Sequence, residues 1–299
     1  MSLALHTEQL TKRFGSGARL AVDGLNLRVE AGQVYGFLGQ NGAGKTTTIR
    51  LLLDLMRPTG GTAYIFGIDP RKDRAALRRV GALVEGAAFY PHLSGRANLE
   101  LLRRMNGNRS RPIAPLLEAV GLAEHEDARF GTYSTGMKQR LGLAAALLGD
   151  PDLVILDEPT NGFDPVGLVE MRTFIRNLVD HDGKTVFLSS HLLGEVEQIC
   201  DRVAIIDQGR LVREASMAEL LSGHSQTVQI EVEDVSRALN ILGHGRAVEG
   251  SNSIEVNVER EEIPAVVTLL VTHQIAIYAV NSQRPSLESF FLELVAKAN

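Results

Sequence analysis

Short apolar runs and longer amphipathic stretches alternate along the first two thirds of the chain. Three runs, at residues 34–38, 153–156 and 185–190, have an apolar centre and no apolar–polar alternation. Such runs are typical of strands buried on both faces, as in a parallel sheet covered by helices. Residues 20–30 alternate instead, as half-buried antiparallel strands do, and residues 95–150 contain mainly helical patterns. The pattern predicts an α/β fold with a mixed sheet core, an antiparallel β subdomain and a helical subdomain.

The last quarter of the chain follows a different pattern. Valine and isoleucine alternate with polar residues at 228–232 and again at 254–258, as in half-buried strands. Helical patterns at 263–272 and 287–295 enclose a further apolar strand at 275–280. These elements predict a small α+β domain, in which no motif with recognisable chemistry is present.

A polar joint separates this module from the rest of the chain. Residues 203–213 have the pattern of a hairpin that closes a sheet, and a short helix at 217–221 leads into a polar stretch. From His224 onward acidic residues outnumber basic ones by ten to five, whereas the preceding residues balance. We therefore expect two domains, at 1–222 and 226–299, the second being an interaction or dimer-stabilising domain.

Composition limits the classes of function. The chain has 299 residues, enough for two domains with their own cores, and its single cysteine, Cys200, excludes an intrachain disulfide. The net charge is −5, and the sequence contains no run of basic residues. The sequence therefore shows no sign of a basic surface that would bind nucleic acid. No signal-peptide pattern precedes residue 13, and no uninterrupted apolar stretch approaches membrane-spanning length. We expect a cytoplasmic protein whose connection with a membrane runs through a partner.

A glycine-rich loop follows the first apolar strand and precedes a helical pattern at 47–53. Its spacing is G-x-x-x-x-G-K-[ST], which lets backbone N–H groups wrap a polyphosphate. We predict that Lys45 bridges the β- and γ-phosphates of ATP and that the Thr46 hydroxyl ligates Mg²⁺. The alternative is a strand-to-helix turn with a solvated lysine. The candidate ATP-binding residues of the loop are Gly39, Gln40, Asn41, Gly42, Ala43, Gly44, Lys45, Thr46 and Thr47.

Polar residues also follow the other two apolar strands. Asp157 and Glu158 end the strand at 153–156, and His191 follows the strand at 185–190. Open α/β sheets bind their ligands at these carboxyl ends. Asp157 is therefore a candidate Mg²⁺ ligand, and Glu158 a candidate base for a water that attacks the γ-phosphate. The alternatives are a solvated, helix-capping acidic turn and a structural histidine.

In this order the motifs resemble those of the ATP-binding cassette (ABC) ATPases, a family of P-loop NTPases, over roughly residues 3–222. The glycine-rich loop is similar to the Walker A motif, and residues 153–158 are similar to the Walker B motif. The resemblance implies that Glu158 is the catalytic glutamate and His191 the switch histidine. Residues 133–140 stand where the family carries its signature motif, and the resemblance implies that a second subunit's nucleotide contacts it. The candidate signature residues are Ser134, Thr135, Gly136 and Gln139, of which Ser134 and Gly136 match the usual Leu-Ser-Gly-Gly-Gln.

Three further residues follow from the resemblance. Asp164 matches the aspartate of the loop that crosses between paired subunits, and Phe14 stands near the position of the aromatic that stacks on adenine. An ordinary core or edge-strand phenylalanine is the alternative for Phe14. Glu85 replaces the family's usual glutamine, as in ATPase subunits of bacitracin and lantibiotic exporters, and we expect it to strengthen Mg²⁺ binding. The alternative is a tolerated substitution.

The resemblance implies a function that one copy of the chain cannot perform. In this family the Walker loops of one subunit meet the signature of another, so two copies must pair head to tail around ATP. The expected function is ATP hydrolysis that energises a separate transmembrane permease, with the chain peripheral on the inner face of the membrane. The expected cargo of this exporter is an antibiotic, a peptide or a lipid-like molecule. The alternatives are a soluble cassette ATPase of translation or DNA repair and an ordinary P-loop kinase or NTPase.

Overall fold

The computed structural model describes residues 2–15, 20–84, 89–106, 111–222, 226–248, 250–283, 287–288 and 290. The chain divides into two compact units, Met1–Met217 and Ala218–Asn299. The domain boundary at 222–226 stays a prediction, because residues 223–225 lie outside the described ranges.

The first unit alternates strands and helices, as the apolar pattern predicts. Its strands are β1 (Leu3–Arg13), β2 (Leu20–Leu25), β3 (Arg28–Glu30), β4 (Val34–Leu38), β5 (Gly60–Ile65), β6 (Val80–Leu83), β7 (Leu153–Asp157), β8 (Thr185–Ser190), β9 (Arg202–Asp207) and β10 (Arg210–Ser216). Its helices are α1 (Lys45–Leu52), α2 (Gly95–Asn106), α3 (Ile113–Ala119), α4 (Thr135–Leu147), α5 (Pro165–Asp180) and α6 (Leu193–Ile199), and α7 (Met217–Ser222) begins at its last residue.

A six-stranded sheet positions the predicted motifs. Its strand order is β10-β9-β4-β8-β7-β6, with β10 antiparallel to β9 and the other neighbours parallel. All residues of β4, β7 and β8 are buried, as expected for central strands covered on both faces. Because these three strands are parallel, the residues that follow them meet at the same edge of the sheet.

An antiparallel sheet surrounds the long strand β1, which pairs with β2, β3 and β5. Thr7 lies in the middle of β1 and is buried, because its hydroxyl donates to Leu25 O at 2.8 Å and accepts from Leu27 N at 2.9 Å. The alternation at 20–30 predicted β2 and β3, but no sequence pattern predicted β1, β5 or β6.

A cluster of buried apolar side chains packs against both sheets of the first unit. Phe187 of β8 lies against Tyr35 and Phe37 of β4, with ring centroids 5.7 and 5.4 Å apart. The same cluster includes Leu5 of β1 and Ile49 of α1, both fully buried. Burial of large apolar side chains at this point fixes the start of α1 against the end of β4.

Within its described residues, the second unit contains a four-stranded antiparallel sheet and helices, in agreement with the predicted α+β module. Its elements are β11 (Gln226–Val232), α8 (Val235–Leu242), β12 (Arg246–Ala247), β13 (Ser253–Val258), α9 (Ile263–Thr272) and β14 (Ile277–Gln283). The alternating residues of β11 and β13 point to one buried cluster that includes Leu270 of α9. The strand predicted at 275–280 is β14, which begins two residues later, at Ile277. No sequence pattern predicted α8.

The described residues of 95–150 contain helices α2, α3 and α4 and none of the named strands, as the pattern predicts. Of the helix predicted at 287–295, the structure describes only 287, 288 and 290. Within the described ranges, no helix combines the length and the apolar character needed to cross a membrane.

Candidate active site

The glycine-rich loop joins the buried strand β4 to helix α1. At two of its glycines there is no room for a side chain. Gly44 has a φ of 109°, and a Cβ there would lie 2.3 Å from the carbonyl oxygen of Ala21. A Cβ on Gly39 would lie 2.6 Å from Ile206 O. Both approaches are to backbone atoms that cannot move aside, so these positions require glycine. The loop is therefore fixed by its surroundings in one path.

The start of α1 suits a phosphate. Its N-cap residue, Gly44, offers no side-chain hydrogen bond, and the first turn contains no acidic residue. The first N–H groups of a helix have no intrahelical partner, and the helix dipole places partial positive charge there. An anion seated in the loop would satisfy these donors, so the residues present fit the triphosphate of ATP.

Lys45 is held inside the loop that it follows. Its side chain is 6% exposed, and Nζ donates a 2.7 Å hydrogen bond to Gly39 O. Nζ also lies 3.2 Å from Glu158 Oε1. The ammonium group therefore stands between the loop carbonyls and the end of β7, where it can meet the terminal phosphates of a bound nucleotide.

Asp157 connects three elements of the site. Its Oδ2 accepts a hydrogen bond from Thr46 Oγ1 at 2.8 Å, and its Oδ1 accepts one from Ser189 Oγ at 2.5 Å. The carboxylate is buried. Thr46 and Asp157 lie 111 residues apart in sequence, and the parallel sheet brings them together as the strand-end argument predicts.

In the part of the chain that the structure describes, few oxygen atoms that could ligate a cation lie beside Thr46 and Asp157. Their number determines which kind of cation fits this site. Within the described residues, no group of three or more His, Cys, Asp or Glu side chains could hold a metal ion. Mg²⁺ is commonly bound by one or two protein oxygens together with water and substrate phosphates. Thr46 and Asp157 supply a set of this kind. The third predicted ligand, Glu85, lies outside the described residues.

Glu158 and His191 form a pair at the same edge. Glu158 Oε2 is 2.8 Å from His191 Nδ1, and the two side chains are 17% and 38% exposed. Water can therefore reach them while Asp157 stays buried. A partly exposed carboxylate beside an imidazole has the chemistry of a base that is held in place by its neighbour.

The signature residues lie at the start of α4. Ser134 is the N-cap, and its Oγ accepts from Met137 N at 3.2 Å. The preceding Tyr133 is anchored in the core, where its hydroxyl donates to His125 O at 2.7 Å and burial raises its pKa. Ser134 and Thr135 are exposed, and Gln139 is half-buried. The helix start is therefore rigidly supported and open on its outer side.

Asp164 shares a surface depression with the signature. It is the N-cap of α5, where its Oδ1 accepts from Gly167 N at 2.7 Å. The ring of Phe163 lies against Gly136, 3.5 Å from the position of an added Cβ. The depression has a volume of about 530 Å³, and it is lined by described residues of 134–140 and 162–170. Its lining includes no residue of the glycine-rich loop and neither Glu158 nor His191.

Phe14 is exposed, which excludes a core position for it and leaves the edge-strand alternative open. Its side chain is 53% exposed just beyond the end of β1. Lys12 Nζ lies 5.3 Å from the ring centroid, a cation–π contact on the protein surface. Phe14 is thus no core residue, and its ring is available for stacking.

One polar residue of the site was not singled out from the sequence. Ser189 lies in the predicted strand 185–190, but the apolar pattern assigns it no role. Its hydroxyl contacts both Asp157 Oδ1 and the amide nitrogen of Glu158, at 2.5 and 3.0 Å. No local sequence signal distinguishes it from Ser190 beside it.

Comparison with known proteins gives a consistent result. A family model described as "ABC transporter" matches residues 22–161. The uncharacterized ABC transporter ATP-binding protein YhcH of Bacillus subtilis (strain 168) is 40% identical over 99% of this chain and 97% of its own length. The bacitracin transport ATP-binding protein BcrA of Bacillus licheniformis is also 40% identical, over 99% of this chain and 98% of its own length.

A solved structure supports the fold. It is the dimeric structure of an ATP-binding cassette in a post-hydrolysis state, bound to ADP and Pi. Its TM-score against this chain is 0.65 at 23% identity, covering 71% of this chain and 98% of that chain.

Similarity over the full length at this level of identity establishes common descent, and the P-loop cassette architecture agrees with it. The predicted resemblance is therefore confirmed. The chain belongs to the ABC transporter family, as an ATP-binding subunit whose ATPase activity is coupled to transmembrane transport.

Proposed function

We propose that the chain binds Mg-ATP at the carboxyl edge of β4, β7 and β8, pairs with a second copy of itself, and energises a separate permease subunit that exports its cargo. The observation that carries this proposal is one continuous set of contacts. Thr46, Asp157 and Ser189 are joined by hydrogen bonds, and Glu158 joins Lys45 to His191. Every predicted catalytic or metal-binding residue that the structure describes takes part in this set.

Each residue has a definite role in the proposed hydrolysis. The amides of the glycine-rich loop and Lys45 bind the phosphates, and Phe14 stacks on the adenine ring. Thr46 and Asp157 hold Mg²⁺, which supplies charge neutralisation when bound, and Glu85 remains a third candidate ligand from the sequence. Glu158 accepts a proton from the water that attacks the γ-phosphate. His191 keeps the Glu158 carboxylate oriented through its 2.8 Å contact.

The proposed pairing follows from the separate position of the signature. Ser134 and Gly136 open onto a depression whose lining contains no residue of the glycine-rich loop. They would supply a hydroxyl and an N–H group to the γ-phosphate bound by the partner, and Asp164 would lie at the interface. The solved cassette is itself a dimer, which supports the proposed pairing.

Mixing two inactive variants tests whether the site is shared between copies. Lys45→Ala damages the phosphate loop, and Ser134→Arg places a bulky cation at the exposed start of α4. Each variant alone should be inactive. A mixed dimer would still contain one site with an intact loop and an intact signature. Random pairing therefore predicts recovery of up to about a quarter of the wild-type ATPase rate in an equimolar mixture.

The mixture needs a control for proteins that are merely unfolded. Lys45→Ala mixed with additional Lys45→Ala should show no recovery at the same total concentration. Thermal melting of each variant should show a folded protein. A mixture no more active than the sum of its components would contradict the shared site.

We propose an antibiotic, a peptide or a lipid-like molecule as the cargo. BcrA, which is similar over nearly its whole length, is described as a bacitracin transport protein. The same likeness gives no support to a soluble cassette of translation or DNA repair. A location on the inner face of the membrane, through the permease, follows from this proposal. Selectivity for the cargo would reside in the permease.

A truncated chain tests whether the first unit binds ATP without the second. All residues assigned to ATP precede the second unit, and the core around Phe37 and Phe187 belongs wholly to the first. A fragment ending at Gly223 should therefore fold and bind a fluorescent ATP analogue with an affinity within about threefold of the full chain. Its pairing or its coupling to the permease should weaken. Loss of analogue binding would show that the second unit is part of the nucleotide core.

A further inference from the structure

Ser189 stands at the junction of the two acidic residues that follow β7. Its side chain is fully buried at the carboxyl end of β8. Its Oγ donates a 2.5 Å hydrogen bond to Asp157 Oδ1 and accepts a 3.0 Å hydrogen bond from Glu158 N. The single hydroxyl proton goes to Asp157, and a lone pair receives the Glu158 amide, so both contacts have a defined direction.

The backbone of Glu158 has an unfavourable conformation. Its φ is 50°, in the left-handed region that residues with a Cβ rarely adopt. Such a conformation persists where surrounding contacts hold it, and it is frequent at functional sites. The hydrogen bond from Glu158 N to Ser189 Oγ acts directly on this peptide unit.

The side chain of Glu158 depends on that backbone. With this φ, its carboxylate reaches Lys45 Nζ at 3.2 Å and His191 Nδ1 at 2.8 Å. A change of the backbone to a more ordinary φ would swing the carboxylate away from both. Asp157 is less dependent on Ser189, because Thr46 Oγ1 also bonds its other oxygen at 2.8 Å.

We propose that Ser189 is a positioning residue for ATP hydrolysis, which holds Glu158 in the conformation that directs its carboxylate toward the attacking water. This inference rests on the proposed role of Glu158 as the base. Ser189 touches no reacting atom and acts through the Glu158 amide. It therefore matters for turnover and little for the affinity of ATP.

Ser189→Ala tests the proposal, because it removes the hydroxyl and adds no bulk. At saturating Mg²⁺, kcat should fall about 10- to 100-fold, the usual effect of losing a group that orients a functional side chain. The Kd of a fluorescent ATP analogue should stay within about threefold of wild type. Thr185→Val is a matched control, since Thr185 is also buried on β8 and its hydroxyl accepts from Gly32 N at 3.0 Å. This control should keep the wild-type kcat.

A double-mutant cycle decides whether Ser189 acts through Glu158. Single-turnover rates would be measured for Glu158→Gln and for the double variant Glu158→Gln, Ser189→Ala. If Ser189 works by positioning the base, the second substitution should change the residual rate by less than about threefold. An equal loss in both backgrounds, or a wild-type kcat for Ser189→Ala alone, would overturn the proposal. A wild-type rate for Glu158→Gln alone would instead refute the proposed role of Glu158.

Discussion

Glu158→Gln is expected to bind ATP as wild type does and to lose about 10² to 10⁴ fold in ATPase rate, the usual worth of a positioned base. Glutamine keeps the shape of the side chain and one acceptor oxygen for His191, but its amide cannot accept the proton from water. The substitution also removes a negative charge 3.2 Å from Lys45 Nζ. It therefore adds no electrostatic repulsion toward a triphosphate bound in the loop. The measurements are the steady-state phosphate release rate and the Kd of a fluorescent ATP analogue.

The same variant should hold two copies together. If hydrolysis separates the pair, a protein that binds ATP without hydrolysing it should elute from a sizing column as a dimer with Mg-ATP and as a monomer without it. Glu255→Gln provides a matched change in the second unit, where Glu255 Oε1 lies 2.7 Å from Arg246 Nη2. This control should keep the wild-type rate. Wild-type hydrolysis by Glu158→Gln, or a monomer under both conditions, would contradict the assignment.

The proximity of the candidate site residues could be predicted from the sequence because these residues follow strands that are easy to recognise. Parallel strands with apolar centres are buried on both faces, and their carboxyl ends share one edge. That rule brings Thr46, Asp157, Glu158 and His191 together before any contact is known. The contacts at 2.8 Å from Thr46 to Asp157 and from His191 to Glu158 agree with it.

Other parts could not be predicted, because buried polar residues disturb the apolar pattern. Thr7 occupies a core position of β1 with its hydroxyl bonded to the backbone of Leu25 and Leu27, so that strand shows no clear alternation. The strand that contains Ser189 was predicted, but the role of this buried serine was not. Its hydroxyl donates to Asp157, 32 residues earlier in the chain. A polar residue with its partner distant in sequence looks like a surface residue until the fold supplies that partner.

Lys45→Ala is expected to abolish most of the affinity for ATP. The Lys45 side chain is 6% exposed, and its Nζ lies 3.2 Å from Glu158 Oε1. Removing one member of a buried, hydrogen-bonded charge pair costs about 2 to 5 kcal/mol, much of it from the charge left unpaired. A phosphate in the loop would lose that partner, so Kd should rise by about 30-fold to several thousand-fold. Equilibrium titration with a fluorescent ATP analogue measures the change directly.

Lys184→Ala separates this effect from the general cost of deleting a buried lysine. Lys184 is also 6% exposed, and its Nζ donates to Pro151 O at 2.8 Å and to Asp150 Oδ1 at 2.9 Å, the same kinds of partner that Lys45 has. Because Lys184 lies at the amino-terminal side of β8, away from His191 at its other end, its loss should lower the melting temperature and leave Kd within about threefold of wild type. Equal affinities for ATP in Lys45→Ala and Lys184→Ala would mean that the loop does not bind phosphate through Lys45.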